Sequence, residues 1–179
     1  MRLAAALVCL TLLLIGGCVD RPPSFMPSLP EARVRIAGTI GKVSALVDPA
    51  AQAAGDVRMI FGDDETPAQW QRGLASALDQ SRLLDGSPRV LDVTVTIYKM
   101  KPPHTGATIE TPASARYQVI DARSRAIVFE TMIENVGHAG PDDNFLGAVR
   151  IRDSIDRAVQ GNITLFVERL AKAPALTSP

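Results

Sequence analysis

The sequence predicts an α+β fold, a two-layer sandwich. An antiparallel or mixed sheet of about four strands, in the order β-α-β-β-β-α, carries two helices on one face. Three observations point there. Several segments alternate apolar with polar residues at period two, as half-buried strands do. Two others repeat apolar residues every three or four positions, which makes one stripe along a helix. The last strand segments are joined by a polar turn, which suits antiparallel neighbours.

Residues 33–43 (RVRIAGTIGKV) set Val34, Ile36 and Ile40 against polar or small residues and read as the first strand. Gly38 and Gly41 weaken it and indicate a bulge or a close neighbour. Residues 48–56 read as a loop, and Val57, Met59 and Phe61 as a short second strand. The first helix begins with Thr66 as N-cap, Pro67 at the first helical position and Gln69 completing a capping box. Asp63, Asp64 and Glu65 then complement the positive end of the helix dipole, a better account of that acidic cluster than a metal site. Trp70, Leu74, Ala77, Leu78 and Leu84 form its apolar stripe, and Asp85-Gly86 ends it.

Residues 89–100 are the clearest strand, with Leu91, Val93, Val95 and Ile97 inward and Asp92, Thr94, Thr96 and Tyr98 outward. Such alternation implies a sheet covered on one side only. Residues 107–121 continue with Ile109, Ala113, Ala115, Tyr117 and Val119 inward, although Pro112 marks an edge or a bulge. After the turn DARSR, residues 126–136 return with Ile127, Phe129 and Ile133, and residues 137–143 break the pattern. A long helix from about Asn144 to Lys172 carries Ile151, Ile155, Val159, Ile163, Phe166 and Leu170, with a break expected near Gly161. A right-handed crossover would set the first strand parallel to the strand after the first helix.

The domain organisation starts at the amino terminus. Arg2, the apolar run from Leu3 to Ile15 and the pair Gly16-Gly17 have the layout of a signal peptide. Thirteen residues rise about 20 Å as a helix, short of roughly 30 Å of hydrocarbon. Cys18 follows the small pair directly, so residues 15–18 resemble a bacterial lipobox with Ile15 in the leucine position. That resemblance implies cleavage before Cys18 and attachment of diacylglyceryl and acyl chains to it, hence a membrane contact through the N-terminal lipid. Residues 1–17 are then the signal peptide, 18–31 a lipidated, Pro-rich tether, 32–172 a single domain and 173–179 a tail. Val19, where aspartate would mark inner-membrane retention, favours the outer membrane by the same resemblance. Phe25, Met26 and Leu29 on the tether either fold back on the domain or dock on a partner.

From Trp70 to Leu170 the chain resembles a family of uncharacterised proteobacterial envelope lipoproteins. The matching residues are Ala77, Leu78, Ser81, Leu83 and Leu84, then Tyr117, Asp121, Val128 and Phe129, then Arg152, Ala158, Asn162, Ile163, Phe166 and Leu170. Members sometimes carry the label UDP-N-acetylglucosamine acyltransferase. Those enzymes resemble hexapeptide-repeat β-helices, and the chain has no such repeat. The strand–helix–strands–helix order is similar to envelope lipoproteins that assist larger machines, such as transporter auxiliaries and cell-wall synthase activators.

Composition narrows the chemistry. Nineteen Lys and Arg balance nineteen Asp and Glu. A charge this near zero argues against nucleic acid as a partner. With Cys9 removed and Cys18 lipidated, neither thiolate catalysis nor a cysteine-held metal is available. His104 and His138 lie in Gly/Pro-rich stretches outside any zinc spacing, and His138 meets Asp143 five residues on, the one trace of an H-x-x-x-x-D acyltransferase pattern. No nucleophile elbow or dinucleotide fingerprint occurs. Neither catalytic residues, nor a metal site, nor a cofactor are therefore expected. Arg152 and Asn162, on or beside the last helix's stripe, are candidates for a partner surface. Alternatively Arg152 pairs with Asp156, and Asn162 satisfies a buried backbone group. The expected function is a non-enzymatic accessory domain that binds another envelope protein. The alternative is a lipid- or glycolipid-binding module with its pocket beside Gly38, Ala113 and Ala115.

Overall fold

The computed structural model describes residues 24–58, 65–173 and 176. Its elements are β1 (Thr39–Val47), α1 (Pro49–Ala53), α2 (Glu65–Ser81), β2 (Val90–Met100), β3 (Ile109–Asp121), β4 (Ile127–Ala139) and α3 (Gly147–Ala171). The sheet runs β1-β2-β3-β4, with β1 parallel to β2 and the other pairs antiparallel. The expected α+β sandwich is thus present, with a mixed four-stranded sheet and the short α1 as a third helix. The inward residues Leu91, Val93, Val95, Ile97, Ala113, Ala115, Tyr117, Val119 and Ile133 are all buried. They meet Trp70, Leu74, Ala77 and Leu78 of α2 and Ile155, Val159, Ile163, Phe166 and Leu170 of α3 in one core. Tyr117 stacks on Phe166, with ring centroids 4.4 Å apart.

Several boundaries differ from the sequence reading. The first strand starts at Thr39, because the chain turns at Gly38 (φ 151°). Before it, Ile36 makes only an isolated bridge to Leu84. The β1 register slips between Ile40 and Val43, where Asp92 accepts from the Lys42 N–H at 2.8 Å, so the bulge is real. The loop at 48–56 contains α1, capped by Asp48, whose carboxylate accepts from the N–H groups of Ala50 and Ala51. Asp48 as N-cap and Pro49 at the first helical position favour a helix start here. Val57 forms a single bridge with Met100, while residues 59–61 of the expected second strand lie outside the described residues.

The first helix begins one residue before Thr66, and Thr66 is buried inside it rather than capping it. Gln69 reaches Glu65 instead, at 3.2 Å. The helix stops at Ser81, where Arg82 adopts a left-handed φ of 46°; Gly86, at φ 79°, turns the chain five residues later. Pro112 sits in an inner strand. Its missing donor is tolerated because the β2 ladder ends at Met100–Ala113, and its carbonyl still accepts from Lys101. Ile127 is exposed because the β3–β4 register slips beside it. Residues 137–139 extend β4 instead of breaking it. The last helix starts at Gly147 and runs unbroken for 25 residues, about 37 Å, straight through Gly161.

Residues 24–31 do not stand away from the domain. Phe25 is buried edge-on against Trp70, and Pro27 is buried as well. Gln160 donates to the Ser24 carbonyl, and Ala32 N–H donates to Ser81 O at 2.7 Å. Phe25 and Leu29 thus fold back, whereas Met26 stays exposed.

Candidate functional site

Two regions hold the polar side chains that could carry function, one inside the sandwich and one on the uncovered side of the sheet. The inner one is a relay. Trp70 Nε1–H donates to the Tyr117 hydroxyl at 3.1 Å, and that hydroxyl donates to Asn162 Oδ1 at 2.9 Å. Asn162 Nδ2–H donates to Ile133 O at 3.2 Å and to Asn135 Oδ1 at 2.8 Å. Asn135 in turn donates to Ala158 O at 2.8 Å. The relay ties α2, β3, α3 and β4 together. Burial pushes the Tyr117 hydroxyl well above its ordinary pKa, so it remains a neutral donor. Nearby, the hydroxyls of Thr111 and Ser154 lie 2.7 Å apart, also buried. Trp70, Tyr117 and Asn162 sit away from water and Asn135 is half-buried at the relay's end, so the arrangement locks four elements in register.

Asn162 therefore cannot contribute to a partner surface: it is fully buried, with both amide ends engaged. Of its two expected roles, satisfaction of a buried backbone carbonyl is the one observed. Arg152 lies half-buried on α3, away from the relay's bonds. Trp70 and Tyr117 read from the sequence as inward core residues, and Asn135 carries no pattern signal of its own. A tryptophan and a tyrosine on inward stripes do signal that their N–H and O–H need acceptors inside.

The histidines are separate. His104 is exposed in the β2–β3 loop, beside Arg58. His138 belongs to β4 and not to a loop; its Nδ1 lies 3.4 Å from Glu110. Asp143 is engaged by Arg157 at 2.6 and 3.0 Å and by Gly140 N–H at 2.8 Å. The Arg157 guanidinium holds its carboxyl down at about 2, so it is no acid–base partner for His138. Arg157 also donates to the His138 carbonyl at 2.6 Å, so the apparent motif is a structural clamp between β4 and α3.

The uncovered side of the sheet has a continuous cross-strand row, Leu46–Thr96–Arg116–Met132. Leu46 and Met132 are exposed at its two ends. Arg116 lays its guanidinium over the Tyr98 ring, 5.5 Å from the centroid. Val136 adds an exposed apolar residue on β4, and Glu130, bonded to Gln118, and Glu134 supply acid beside the row. Two clefts open at the rims of the domain. One of about 640 Å³ lies between the end of α2 and β1 and is lined by Arg35, Asp79, Arg82 and Asp85 among others. The other, about 390 Å³, lies at the start of α3 beside His104, Ile109 and Arg150. Gly38 is packed against Arg89 O and Leu91, and Ala113 and Ala115 are buried in the core. Cys18, the expected lipid attachment site, lies outside the described residues.

No protein-family model and no curated protein matches the chain. Solved structures do. Protein XCC0632 from Xanthomonas campestris, described with the family model DUF330, aligns at TM-score 0.56 and 11% identity over 83% of this chain and 91% of that one. The hypothetical protein CT253 from Chlamydia trachomatis aligns at TM-score 0.52 and 11% identity over 78% and 97%. The minor lipoprotein of Acinetobacter baumannii aligns more loosely, at TM-score 0.41 and 8% identity over 84% and 99%. The first two share the fold with this chain.

Proposed function

We propose that this protein is a lipid-anchored envelope domain with no catalytic role, which binds another envelope protein through the uncovered face of its sheet. The observation that carries the reading is the row Leu46–Thr96–Arg116–Met132, an apolar-ended, arginine-centred strip across all four strands. Exposed aliphatic and thioether side chains around a pre-oriented arginine have the composition of an interface centre. The relay supports it indirectly, because a sandwich locked from within holds its outer face rigid. The lipobox resemblance at Cys18 supports the anchor, and Val19 supports the outer membrane. Arg152 is an additional candidate contact on α3.

A carrier of lipid or glycolipid needs an apolar cavity between sheet and helices. The small residues that prompted that reading are packed, and the 640 Å³ cleft is lined by charges of both signs. These features favour the accessory role.

Site-specific photo-crosslinkers at Leu46 and Met132, with Gln80 on α2 as control, test the reading in cells. One protein adduct from the face positions, absent from Gln80 and lost in Cys18→Ser, is expected. Equal adducts from Gln80, or recovered lipid without protein, would overturn it.

A further inference from the structure

The connection from β4 to α3 presents two apolar side chains to solvent. Phe145 is 91% exposed and Leu146 is 60% exposed. They are not the loose tip of a floppy loop. Arg150 donates to the carbonyls of Asn144 and Phe145, both at 2.9 Å, and Asn144 Oδ1 accepts from the Leu146 N–H at 2.9 Å. Just before them, the Arg157–Asp143 pair fastens the turn to α3. The backbone is therefore held, with the side chains aimed outward. Leu146 also occupies the N-cap of α3 and makes no side-chain cap bond. A position that favours Ser, Thr, Asp or Asn for helix stability thus carries leucine instead. Beside the tip, exposed Ala148 and half-buried Ile151 line the 390 Å³ cleft and extend the apolar surface.

We infer that Phe145 and Leu146 form a second membrane contact, inserting into the interfacial layer of the bilayer that holds the lipid at Cys18. The inference rests on the anchor proposed above. Chain length argues for a bilayer as the occupant. The tether joins the domain where Ser24 meets Gln160 of α3. Cys18 lies six residues before Ser24 and so stays within about 22 Å of it. From Gln160 back to Gly147 along α3 is about 20 Å. With the N-terminal end of α3 turned toward the membrane, the tether reaches the plane of the tip while nearly extended. The acyl chains proposed at Cys18 already hold the protein on the bilayer, so the apolar wedge adds a second contact point that sets the orientation of the domain. The sheet would then stand on its β4 C-terminal end, leaving the Leu46–Met132 row open sideways.

The test uses the full lipidated chain carrying Phe145→Trp, reconstituted in phosphatidylcholine vesicles with and without brominated acyl chains. The native chain supplies the background from Trp70, which is buried. Expected are co-flotation of both chains and a blue shift of the introduced indole. Bromine quenching should be at least twofold greater than in the native chain. Leu146→Trp should behave alike. Co-flotation with no quenching beyond the native background would overturn the membrane contact while leaving the anchor intact, and would return the tip to an apolar socket on a protein. Absence of co-flotation would overturn the anchor itself, and the inference with it.

Discussion

Replacing Asn162 with leucine tests whether the relay holds the sandwich together. The two side chains have the same number of heavy atoms and branch at the same carbon, but leucine's methyl groups are bulkier, so the change removes hydrogen bonds, opens no cavity and adds some overpacking. It strands the Tyr117 O–H without an acceptor, and Asn135 Oδ1 and the Ile133 carbonyl lose a donor. Each buried group left unmet costs about 1–3 kcal/mol, and the backbone carbonyl, with a second lone pair, lies at the low end. The fully buried Tyr117 hydroxyl at about 1–3 kcal/mol and the half-buried Asn135 at about 1 kcal/mol together set an expected loss of about 2–4 kcal/mol. That is a large part of the 5–15 kcal/mol typical of a domain. Urea unfolding followed through the fluorescence of Trp70, at the far end of the relay, is the assay. The midpoint should fall with little change in slope. Tyr117→Phe alone should also destabilise, because Trp70 Nε1–H and Asn162 Oδ1 both lose a partner. The double variant should lose less than the sum, since the stranded hydroxyl is gone. A loss under about 1 kcal/mol for Asn162→Leu, or strict additivity, would refute the reasoning.

Five further outcomes are expected. Gly137→Ala would place its Cβ 2.0 Å from Ser154 O and 2.4 Å from Ala158 N, backbone atoms of α3. The helix would have to move, so a loss of at least 1–3 kcal/mol should appear in thermal unfolding. Gly86→Ala meets no atom within 4 Å and should cost only the left-handed backbone, about 1–2 kcal/mol. Phe25→Ala should release residues 24–31 from α2, read as rapid proteolysis before Ala32 with the remaining core intact. Leu146→Asp should stabilise the domain in solution by about 1 kcal/mol, because it supplies the missing N-cap. Finally, Asp143, held by Arg157, and Asp121, held by Ser124 N–H and then Arg89, both have carboxyl pKa values of about 2, below the ordinary 3.8. Their stabilising effect is complete above about pH 4 and is lost as pH falls from there toward 2. Asp143→Asn should shrink the difference between urea midpoints at pH 5 and pH 2.5.

The sequence by itself determined the sandwich, because period-two and period-3.6 patterns report which side of each element is dry, and dryness is what the fold has to supply. The inward sets on β2 and β3 and the α3 stripe emerge as written, as does the parallel β1–β2 pair. Ends of elements were decided elsewhere. Thr66 has a capping sequence yet lies inside α2, since one turn's choice of cap depends on where the preceding chain arrives. Gly161 reads as a breaker but stays helical, because packing on both sides of it outweighs a propensity cost of about 1 kcal/mol. Gly137 reads as a loop residue and is instead the point where α3 touches β4, a closeness visible only with both elements in place. The same holds for function. His138 and Asp143 share a catalytic-looking spacing, yet a strand carries one off to Glu110 and an arginine from α3 claims the other. Asn162, beside the stripe of the last helix, reads from the sequence either as a partner contact or as the satisfier of a buried backbone group. The packing of four elements decides between them, because it brings Trp70, Tyr117 and Asn162 together in the dry interior with half-buried Asn135 at the edge. Hydrogen-bond partners far apart in sequence leave no periodic trace along the chain.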